Sequence, residues 1–280
     1  MIRWICCVVL LAAGAAVMFS SGCTPRAQET ITIYGSTTIE PITRKIAEAY
    51  MDNRAVDIVT ACNGSHDGIN KLINGGCDIA DASAKISAAE MNTAKTKGVD
   101  IKEFPFARDL VVPIVHHDNP VKNLTKAQLR DIFSGKVRNW SDVGGTASEI
   151  DVAIRADTSG THDVWNRIIL GGRKEFTGAV AQASNSSVLA YVAANKNAVG
   201  YVSYAFLNSD VKMISIDGIR AEVKKGMKTE YPVTRTLYMY VDKKKLSPAT
   251  RGFIVFILSN EGQRIVRESG FIPISGFSAP

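Results

Sequence analysis

Apolar and polar positions follow two different rhythms along this chain, and the two rhythms alternate. Short apolar runs predict strands over residues 31–34, 56–61, 77–80, 152–154, 200–202 and 236–241. Segments with helical spacing predict helices over residues 39–51, 66–73, 91–97, 187–195 and 247–259. Strands and helices that follow one another in this way indicate an α/β fold with largely parallel sheets. Residues 205–235 look polar and irregular.

One further helix has the clearest ends. Thr125 and Gln128 form the capping-box pattern, in which a hydroxyl caps the helix start and a Gln three residues later reaches back. The helix is predicted to stop at Gly135, because glycine readily adopts the left-handed conformation that follows many helices.

Four predicted strands end in small hydroxyl or amide residues, and a helix follows each of them directly. The four junctions are Ser36-Thr37-Thr38, Asn63-Gly64-Ser65, Ser159-Gly160-Thr161 and Ser184-Asn185-Ser186. Any one of them alone can be an ordinary helix cap. Because the carboxyl ends of strands face the ligand crevice in open α/β sheets, all four could meet at one site.

The third junction carries the most informative chemistry. Arg155 ends the preceding strand, and its guanidinium offers a rigid fork of donors that fits an oxyanion. Ser159 and Thr161 add hydroxyl donors, and Gly160 allows backbone N–H groups of the helix start to come close. The segment therefore predicts a seat for a tetrahedral anion. Arg155 would be its one formal cation, and neutral dipoles would hold most of the charge.

The composition is that of a globular protein with one large domain or two of average size. The chain has 280 residues, of which 46% are hydrophobic and 21% charged, and its formal net charge is +6. The positive charge is dispersed except at residues 224–225 and 243–245, which are interpreted as solvated faces. No basic and aromatic pattern indicates nucleic acid, and a mild positive charge would steer anions toward the protein.

The N-terminus reads as a secretion signal. Residues 1–3 are positively charged, residues 4–19 are apolar, and small residues precede Cys23. The arrangement resembles a bacterial lipoprotein cleavage site, which implies that residues 1–22 are removed and that Cys23 becomes lipidated. Ser20 departs from the usual leucine, and an ordinary signal peptide cut nearby is the alternative. Residues 23–30 are polar and would form a tether.

The remaining cysteines and the histidines suggest no metal chemistry. In an oxidising compartment Cys62 and Cys77 could close a short loop through a disulfide, or they could remain two buried thiols. The histidines lack the spacing of a metal site and are interpreted as surface or loop residues: His66, His116, His117 and His162.

Six segments, in this order, carry a family resemblance. They are GSTTIEPI at 35–42, NGSHDGINKLINGGCDIA at 63–80, LTKAQLRDIFSGKVRNWSDVGG at 124–145, RADTSGTHDVW at 155–165, NAVGYVSYAFL at 197–207 and FILSNEGQRIVRESGFIPI at 256–274. They resemble the phosphate-binding proteins of bacterial ABC importers, a branch of the periplasmic solute-binding superfamily.

The resemblance implies a two-lobed α/β fold, in which each lobe is a mixed, largely parallel sheet flanked by helices. Residues 31–107 together with 240–280 would form lobe 1, and residues 108–239 would form lobe 2. Two hinge strands, crossing near 106–110 and 236–240, would join the lobes, which would close about a bound anion.

Carried over by position, the resemblance implies ligand contacts from both lobes. The expected contacts are Thr37, Thr38, Ser65, Ser83, Arg155, Ser159, Gly160 and Thr161, with Ser184 and Asn185 as weaker candidates. The ligand would be inorganic phosphate, and the partner would be the permease subunits of a membrane ABC importer. The protein would be an extracytoplasmic monomer held at the membrane by its lipid anchor. Neither a cofactor, nor a metal, nor an enzymatic reaction is implied.

The loop after residue 80 departs from the family pattern. Some members have an Asp there, which accepts the proton of hydrogen phosphate, and others have Ser-Arg, whereas this chain has Ser83 and Ala84. A carboxylate acceptor rejects sulfate, because an unprotonated anion leaves it unpaired and repelled. Asp81 would compensate only if the loop turns it inward; a solvent-facing turn position is the alternative.

Three other functions remain as hypotheses, of which the third is a surface adhesin or sensor that uses its closed form as a signal. The first is a receptor for another tetrahedral oxyanion, such as sulfate or molybdate, which the missing carboxylate favours. The second is a secreted phosphatase or esterase, but Ser65 and Ser159 lack a Gly-x-Ser-x-Gly motif and a set of base and acid partners. His66 and His162 follow site hydroxyls closely, yet adjacent residues of a helix point in different directions.

Overall fold

The structure is a computed structural model that describes residues 29–52, 54–223 and 230–274. Within these ranges the strands are β1 (Glu29–Gly35), β2 (Val56–Ala61), β3 (Ile79–Ala82), β4 (Ile101–His116), β5 (Asn123–Leu124), β6 (Asp151–Arg155), β7 (Val180–Gln182), β8 (Ala198–Ser203), β9 (Val211–Met213), β10 (Ser215–Ile216), β11 (Thr234–Asp242) and β12 (Ile272–Pro273).

The α-helices of the described residues alternate with these strands. They are α1 (Glu40–Met51), α2 (Ser65–Ile73), α3 (Ala88–Thr96), α4 (Lys126–Phe133), α5 (Gly160–Trp165), α6 (Asn185–Ala194), α7 (Pro248–Leu258) and α8 (Asn260–Glu268). A π-helical turn over Asn166–Leu170 continues α5. None of the described helices is long and apolar enough to cross a membrane.

Ten of the strands form one sheet with mixed directions. Its order is β2-β1-β3-β11-β4-β8-β6-β7, and β9 and β12 pair with β4. β1 is parallel to β2 and β3, and β6 is parallel to β7 and β8. β4 and β11 are antiparallel to their neighbours and to each other. The expected α/β class is therefore confirmed, with the antiparallel strands at the centre of the sheet.

The molecule has two lobes, one at each end of this sheet. Lobe 1 contains β1, β2 and β3 with α1–α3, α7 and α8, and lobe 2 contains β6, β7 and β8 with α4–α6. Each lobe buries its own apolar residues: Ile33, Ile42 and Phe253 in lobe 1, and Phe133 and Trp165 in lobe 2. Because burial of apolar surface is the main stabilising contribution, each lobe is held together largely by its own core.

The chain passes between the lobes along β4 and β11. These two strands pair from Thr234 opposite Leu110 to Asp242 opposite Ile101, and β4 then continues into lobe 2, where it pairs with β8. The crossings predicted near residues 106–110 and 236–240 fall on these strands. A long antiparallel pair keeps both backbones hydrogen-bonded where the chain passes from one lobe to the other.

Local predictions agree with the structure in most places. Both hydrogen bonds of the capping box at Thr125 and Gln128 form at the start of α4, and Gly135 has a φ of 78° just after the helix ends. The predicted irregularity of residues 205–235 is wrong in part, because β9 and β10 lie there. With three and two residues, these strands are too short to give an alternating pattern.

Of the two alternatives for the cysteines, a disulfide or two thiols, the structure has two thiols. Part of the prediction for the N-terminus lies outside the described residues. Cys62 and Cys77 are free thiols, each partly buried. The predicted signal peptide, the lipidated Cys23 and most of the predicted tether fall in residues 1–28, which are not described. β1 already begins at Glu29, two residues before the predicted start of lobe 1.

Candidate functional site

The strand-to-helix junctions of the two lobes touch one another between the lobes. The hydroxyl oxygens of Thr38 and Thr161 lie 3.0 Å apart. Asn185 donates from Nδ2 to Oγ1 of Thr38 at 2.9 Å, and Arg155 donates from Nη2 to Oγ1 of Thr37 at 3.0 Å. All three contacts join lobe 1 to lobe 2. The lobes are therefore in contact across a polar cleft.

The second junction reaches the same place from lobe 1. Ser65 lies at the start of α2, and its Oγ accepts a hydrogen bond from the backbone N–H of Ser83 at 3.0 Å. A Cβ at Gly160 would lie 2.7 Å from that oxygen, 2.9 Å from Oγ of Ser83 and 2.7 Å from the backbone N of Ala84. Only a residue without a side chain can approach so closely.

These residues form one group, which we call the cleft site. Its members are Thr37, Thr38, Ser65, Ser83, Arg155, Ser159, Gly160, Thr161 and Asn185. All of them were predicted from the sequence, and the structure brings them together. Except for Thr37, they are buried.

Ser159 has a local role that explains how α5 begins. Its Oγ accepts hydrogen bonds from the backbone N–H groups of Thr161, at 3.2 Å, and His162, at 3.4 Å. This is an N-cap, which ends the preceding turn and fixes the direction of the helix. At the other end of α5, the Trp165 indole stacks on the Tyr201 ring with centroids 4.5 Å apart.

Arg155 is the most strongly constrained side chain of the cleft site. It is 1% exposed, its backbone N–H donates to the Tyr201 hydroxyl, and its Nε and Nη2 donate to the carbonyl oxygens of Gln182 and Ala183. Burial lowers the pKa of Arg155 to about 10, so the side chain remains a cation at neutral pH. Its Nη1 is buried and has no hydrogen-bond partner in the described structure. An unpaired buried donor is costly, and an anion would satisfy it.

A second arginine, Arg235, also reaches the cleft site, so the prediction that Arg155 is its one formal cation is wrong. Arg235 is 4% exposed, and its Nη1 donates to Oγ1 of Thr161 at 2.7 Å. Its Nε and Nη2 donate to Oδ2 of Asp109 at 2.9 and 2.7 Å, while Oδ1 of Asp109 accepts from Ser203. The pair adds donors to the site but no net charge.

Arg235 and Asp109 are the residues that sequence reasoning missed. They lie opposite each other on the hinge strands, Arg235 on β11 and Asp109 on β4. A charged residue of opposite sign within or next to each predicted crossing was the signal that could have found them.

The two weaker candidates, Ser184 and Asn185, make different contacts in the structure. Asn185 is fully buried, and its Oδ1 accepts from the backbone N–H of Ser203 while its Nδ2 holds Thr38. Ser184 is the N-cap of α6, and its hydroxyl is engaged with Ser187 in a capping box of that helix. In the described structure the hydrogen bonds of the Ser184 side chain join it to Ser187 and not to a cleft-site residue, so it is not counted in that group.

Asp81 does not face solvent, contrary to one of the two expectations. It is fully buried, and its carboxylate accepts from the backbone N–H of Ser36 at 2.6 Å and from the Thr43 hydroxyl at 3.1 Å. Burial raises the pKa of Asp81 to about 7. The carboxylate supports the first junction from behind, and it makes no hydrogen bond to the cleft site hydroxyls. Asp81 therefore does not take the position of the family carboxylate that Ser83 replaces.

A positively charged cavity of about 300 Å³ opens beside the cleft site. Its lining includes four cationic side chains from both lobes and the hinge: Lys85, Arg108, Arg167 and Arg235. Such a concentration of one sign of charge attracts anions toward the cleft. No group of three or more His, Cys, Asp or Glu side chains in the described residues could hold a metal ion.

The prediction of surface or loop positions is wrong for His162, which is buried in a helix, and His66 is a helical residue that is only partly exposed. His66 lies in α2 and is hydrogen-bonded to Glu90 and Asp163. His162 lies in α5, is 8% exposed and contacts Glu175 at 3.0 Å. In the described structure neither ring contacts the hydroxyl of Ser65 or Ser159, so neither is placed as their general base.

A comparison with protein families finds a match over most of the chain. A family model described as a PBP superfamily domain matches residues 23–261. The chain is 28% identical over 256 residues to "Phosphate-binding protein PstS" of Bacillus subtilis (strain 168), covering 89% of this chain and 82% of the relative. It is 31% identical to a protein of the same name from Staphylococcus epidermidis, with 85% and 77% covered.

Solved structures with similar folds carry similar descriptions. One is a putative phosphate ABC transporter substrate-binding protein with bound phosphate from Clostridium perfringens, with 32% identity and a TM-score of 0.82. Another is an ABC-type phosphate transport receptor from Vibrio cholerae, with 29% identity and a TM-score of 0.73. In each case 88% of this chain and 100% of the other chain are covered.

Proposed function

Because this chain belongs to the PBP superfamily and, within it, to the bacterial phosphate-binding proteins, we propose that it captures inorganic phosphate between its lobes and delivers it to a membrane ABC importer. The names of its relatives support capture and transport of this anion. The two-lobed fold supports a mechanism in which the lobes close on the ligand.

The single observation that carries the proposal is the buried Nη1 of Arg155, which has no hydrogen-bond partner in the described structure while Nη2 of the same cation holds the Thr37 hydroxyl of the other lobe. This nitrogen is an obligate donor, and hydroxyls can turn to donate or accept as a ligand requires. A tetrahedral anion accepts from several directions at once, whereas a neutral or cationic ligand would leave the buried guanidinium charge without a counterion. The contacts that we propose are Thr37, Thr38, Ser65, Ser83, Arg155, Ser159, Gly160, Thr161 and Asn185, with Ser184 in a peripheral position.

The same geometry favours anion capture without a large excess of positive charge. Asp109 neutralises Arg235, so Arg155 provides the net positive charge and neutral dipoles provide the remaining donors. Fixed dipoles inside a desolvated cleft stabilise a bound charge more strongly than exposed charges do in water. A closed cleft of this kind would hold the anion through many short hydrogen bonds.

A second candidate, a receptor for sulfate or molybdate, is favoured by one specific observation. Two buried carboxylates beside the cleft site, Asp81 and Asp109, already accept hydrogen bonds from protein donors. Within the described residues neither carboxylate makes a hydrogen bond to a cleft-site hydroxyl, so neither is directed at the proton that distinguishes hydrogen phosphate from sulfate. A hydroxyl such as that of Ser83 would have to accept it instead.

Titration calorimetry of the purified protein with phosphate, sulfate and molybdate tests the proposal. We expect one phosphate per chain and much weaker binding of the other two anions. No binding of phosphate would overturn the proposal, and sulfate that competes equally would favour the second candidate. A chromogenic phosphate ester should not be turned over, since we propose a binding protein rather than an enzyme.

We further propose that the protein is extracytoplasmic and anchored by a lipid at Cys23. The support is the charged, apolar and small-residue sequence over residues 1–22, directly before that cysteine. In cells fed a labelled fatty acid, the wild-type protein should carry the label and Cys23→Ser should not. Cys77→Ser is the matched control and should be labelled like the wild type.

A further inference from the structure

A histidine joins the two lobes at a point that the cleft site does not include. The His66 ring lies on α2 of lobe 1, and its Nε2 is 2.6 Å from Oδ2 of Asp163 on α5 of lobe 2. Its Nδ1 is 2.7 Å from Oε1 of Glu90 on α3, which also belongs to lobe 1. The ring therefore holds one carboxylate from each lobe.

The charges around the ring require a cation between them. A neutral imidazole has one donor and one acceptor nitrogen, so it cannot donate to two carboxylates at once, whereas an imidazolium can. Glu90 and Asp163 are the charged groups that face the ring from neighbouring elements, and Asp67 and Lys71 lie on its own helix. Hydrogen bonds that the ring donates to Asp163 and to Glu90 raise the pKa of His66 to about 10, against the effect of burial.

The backbone beside the ring crosses the cleft as well. The N–H of His66 donates to the carbonyl oxygen of Thr158 at 3.2 Å, and the Thr158 hydroxyl reaches the carbonyl oxygen of Asn63 at 3.4 Å. A Cβ at Gly64 would lie 2.6 Å from that Thr158 carbonyl oxygen. The ring is thus part of a tight contact that exists only when the lobes are together.

We propose that His66 is a positioning residue for anion binding: its imidazolium links Glu90 of lobe 1 to Asp163 of lobe 2 and so holds the cleft closed. This inference rests on the proposed function. Separation of the lobes leaves Glu90 beside the ring and removes Asp163. Closure therefore takes up a proton wherever the pH lies between the pKa values of the open and closed forms.

The sign of the pH dependence follows from these contacts. A histidine whose pKa is raised on closure stabilises the closed form fully below its open-form pKa. That contribution is lost as the pH rises through the closed-form pKa of about 10. Glu90 stays beside the ring when the lobes separate and keeps the open-form pKa above the ordinary histidine value of about 6.5, so the effect on affinity should decline between that open-form pKa and about 10. Phosphate itself titrates in this range, so the variants are compared with the wild type at each pH.

The test measures phosphate affinity for the wild type, His66→Gln, Asp163→Asn and the double variant from about pH 6.5 to pH 10. We expect either single variant to bind about tenfold more weakly at pH 6.5, which corresponds to one unit of the pKa difference. The Kd of each variant divided by the Kd of the wild type should fall toward one near pH 10. The double variant should bind phosphate no more weakly than either single variant. His117→Gln, on an exposed histidine outside the cleft, is the matched control and should bind like the wild type.

A structural role alone would not give this pH profile. The unfolding free energies of the ligand-free variants show whether either substitution affects the fold, and Asp163→Asn changes a partly exposed residue. Wild-type affinity in both single variants over the whole pH range would overturn the inference while leaving the proposed function intact. A wild-type protein that binds no phosphate would overturn the proposed function and the inference together.

Discussion

Arg235 donates two hydrogen bonds to a single carboxylate oxygen of Asp109, and the two residues lie opposite each other on the strands that join the lobes. Both side chains are almost completely buried. The Nη1 of Arg235 remains available to Thr161, so the ion pair links the hinge to the cleft site. A buried pair of this kind is weak evidence for stability, but losing one partner leaves an uncompensated charge.

The Asp109→Asn variant should therefore unfold more easily. We expect its free energy of unfolding to fall by about 3 kcal/mol, because Arg235 is left buried without its counterion. Saturating phosphate should restore more stability to this variant than to the wild type, since the anion would then face an unneutralised cation. Urea unfolding with and without phosphate measures both effects. Asp142→Asn, on an exposed residue, is the control, and equal stability of all three proteins would contradict the account.

The Gly160→Ala variant should impair closure of the lobes on phosphate without destabilising the fold. In this structure the three atoms nearest to an added Cβ would all belong to lobe 1, at Ser65, Ser83 and the backbone of Ala84. The open protein has no such clash, and alanine favours a helix more than glycine does. We expect unchanged or greater stability of the ligand-free variant and phosphate binding weakened about tenfold or more, equivalent to about 1.4 kcal/mol.

Calorimetry measures the phosphate affinity of the variant, and small-angle scattering with and without phosphate measures whether the lobes close. The wild type should become more compact on adding phosphate, and the Gly160→Ala variant should not. Wild-type affinity in the variant would show that the lobes do not approach each other at this residue when the anion binds.

Much of the cleft site could be predicted because the pattern that identifies its residues lies within a few consecutive positions. A strand that ends in a hydroxyl residue and a glycine, followed directly by a helix, places donors at a sheet edge whatever the rest of the fold. Thr37, Ser65 and Thr161 were found in this way. The capping box at Thr125 is equally local, since its hydrogen bonds span only three residues.

The residues that were missed depend on contacts that are remote in sequence. Asp109 and Arg235 are 126 positions apart, and His66 and Asp163 are 97 positions apart. Strand register and lobe closure bring these pairs together. Neither of them can be inferred from a short stretch of sequence. Asp81 was left open for the same reason, because its burial depends on the turn at Ser36 that covers it.

Replacing Asp81 by Asn should stabilise the protein at alkaline pH. Burial raises the pKa of Asp81 to about 7, so the wild-type contribution of this group becomes unfavourable as the pH rises from about 4 to about 7 and stays so above. An Asn keeps an acceptor for Ser36 and can donate to the Thr43 hydroxyl. We expect a gain of about 1–2 kcal/mol at pH 8 and little difference at pH 4. Urea unfolding at both pH values measures it, and an equal effect at each would contradict the prediction.

Cys62 and Cys77 should behave as protected free thiols. Both are partly buried, and burial raises the pKa of Cys77 to about 12, so little reactive thiolate exists at neutral pH. A thiol reagent should label both slowly in the folded protein and rapidly after unfolding without reductant. Failure to label either cysteine in the unfolded protein would indicate a disulfide instead.

The central claim is that Arg155 holds phosphate between the lobes, and calorimetric titration of Arg155→Met with phosphate tests it most directly. Arg173→Met, which removes an exposed arginine of lobe 2, serves as the matched control. We expect Arg173→Met to bind phosphate like the wild type and Arg155→Met to lose about 3 kcal/mol or more of binding free energy, roughly a hundredfold in Kd, while remaining folded. Equal phosphate affinity in a folded Arg155→Met protein and the wild type would contradict it.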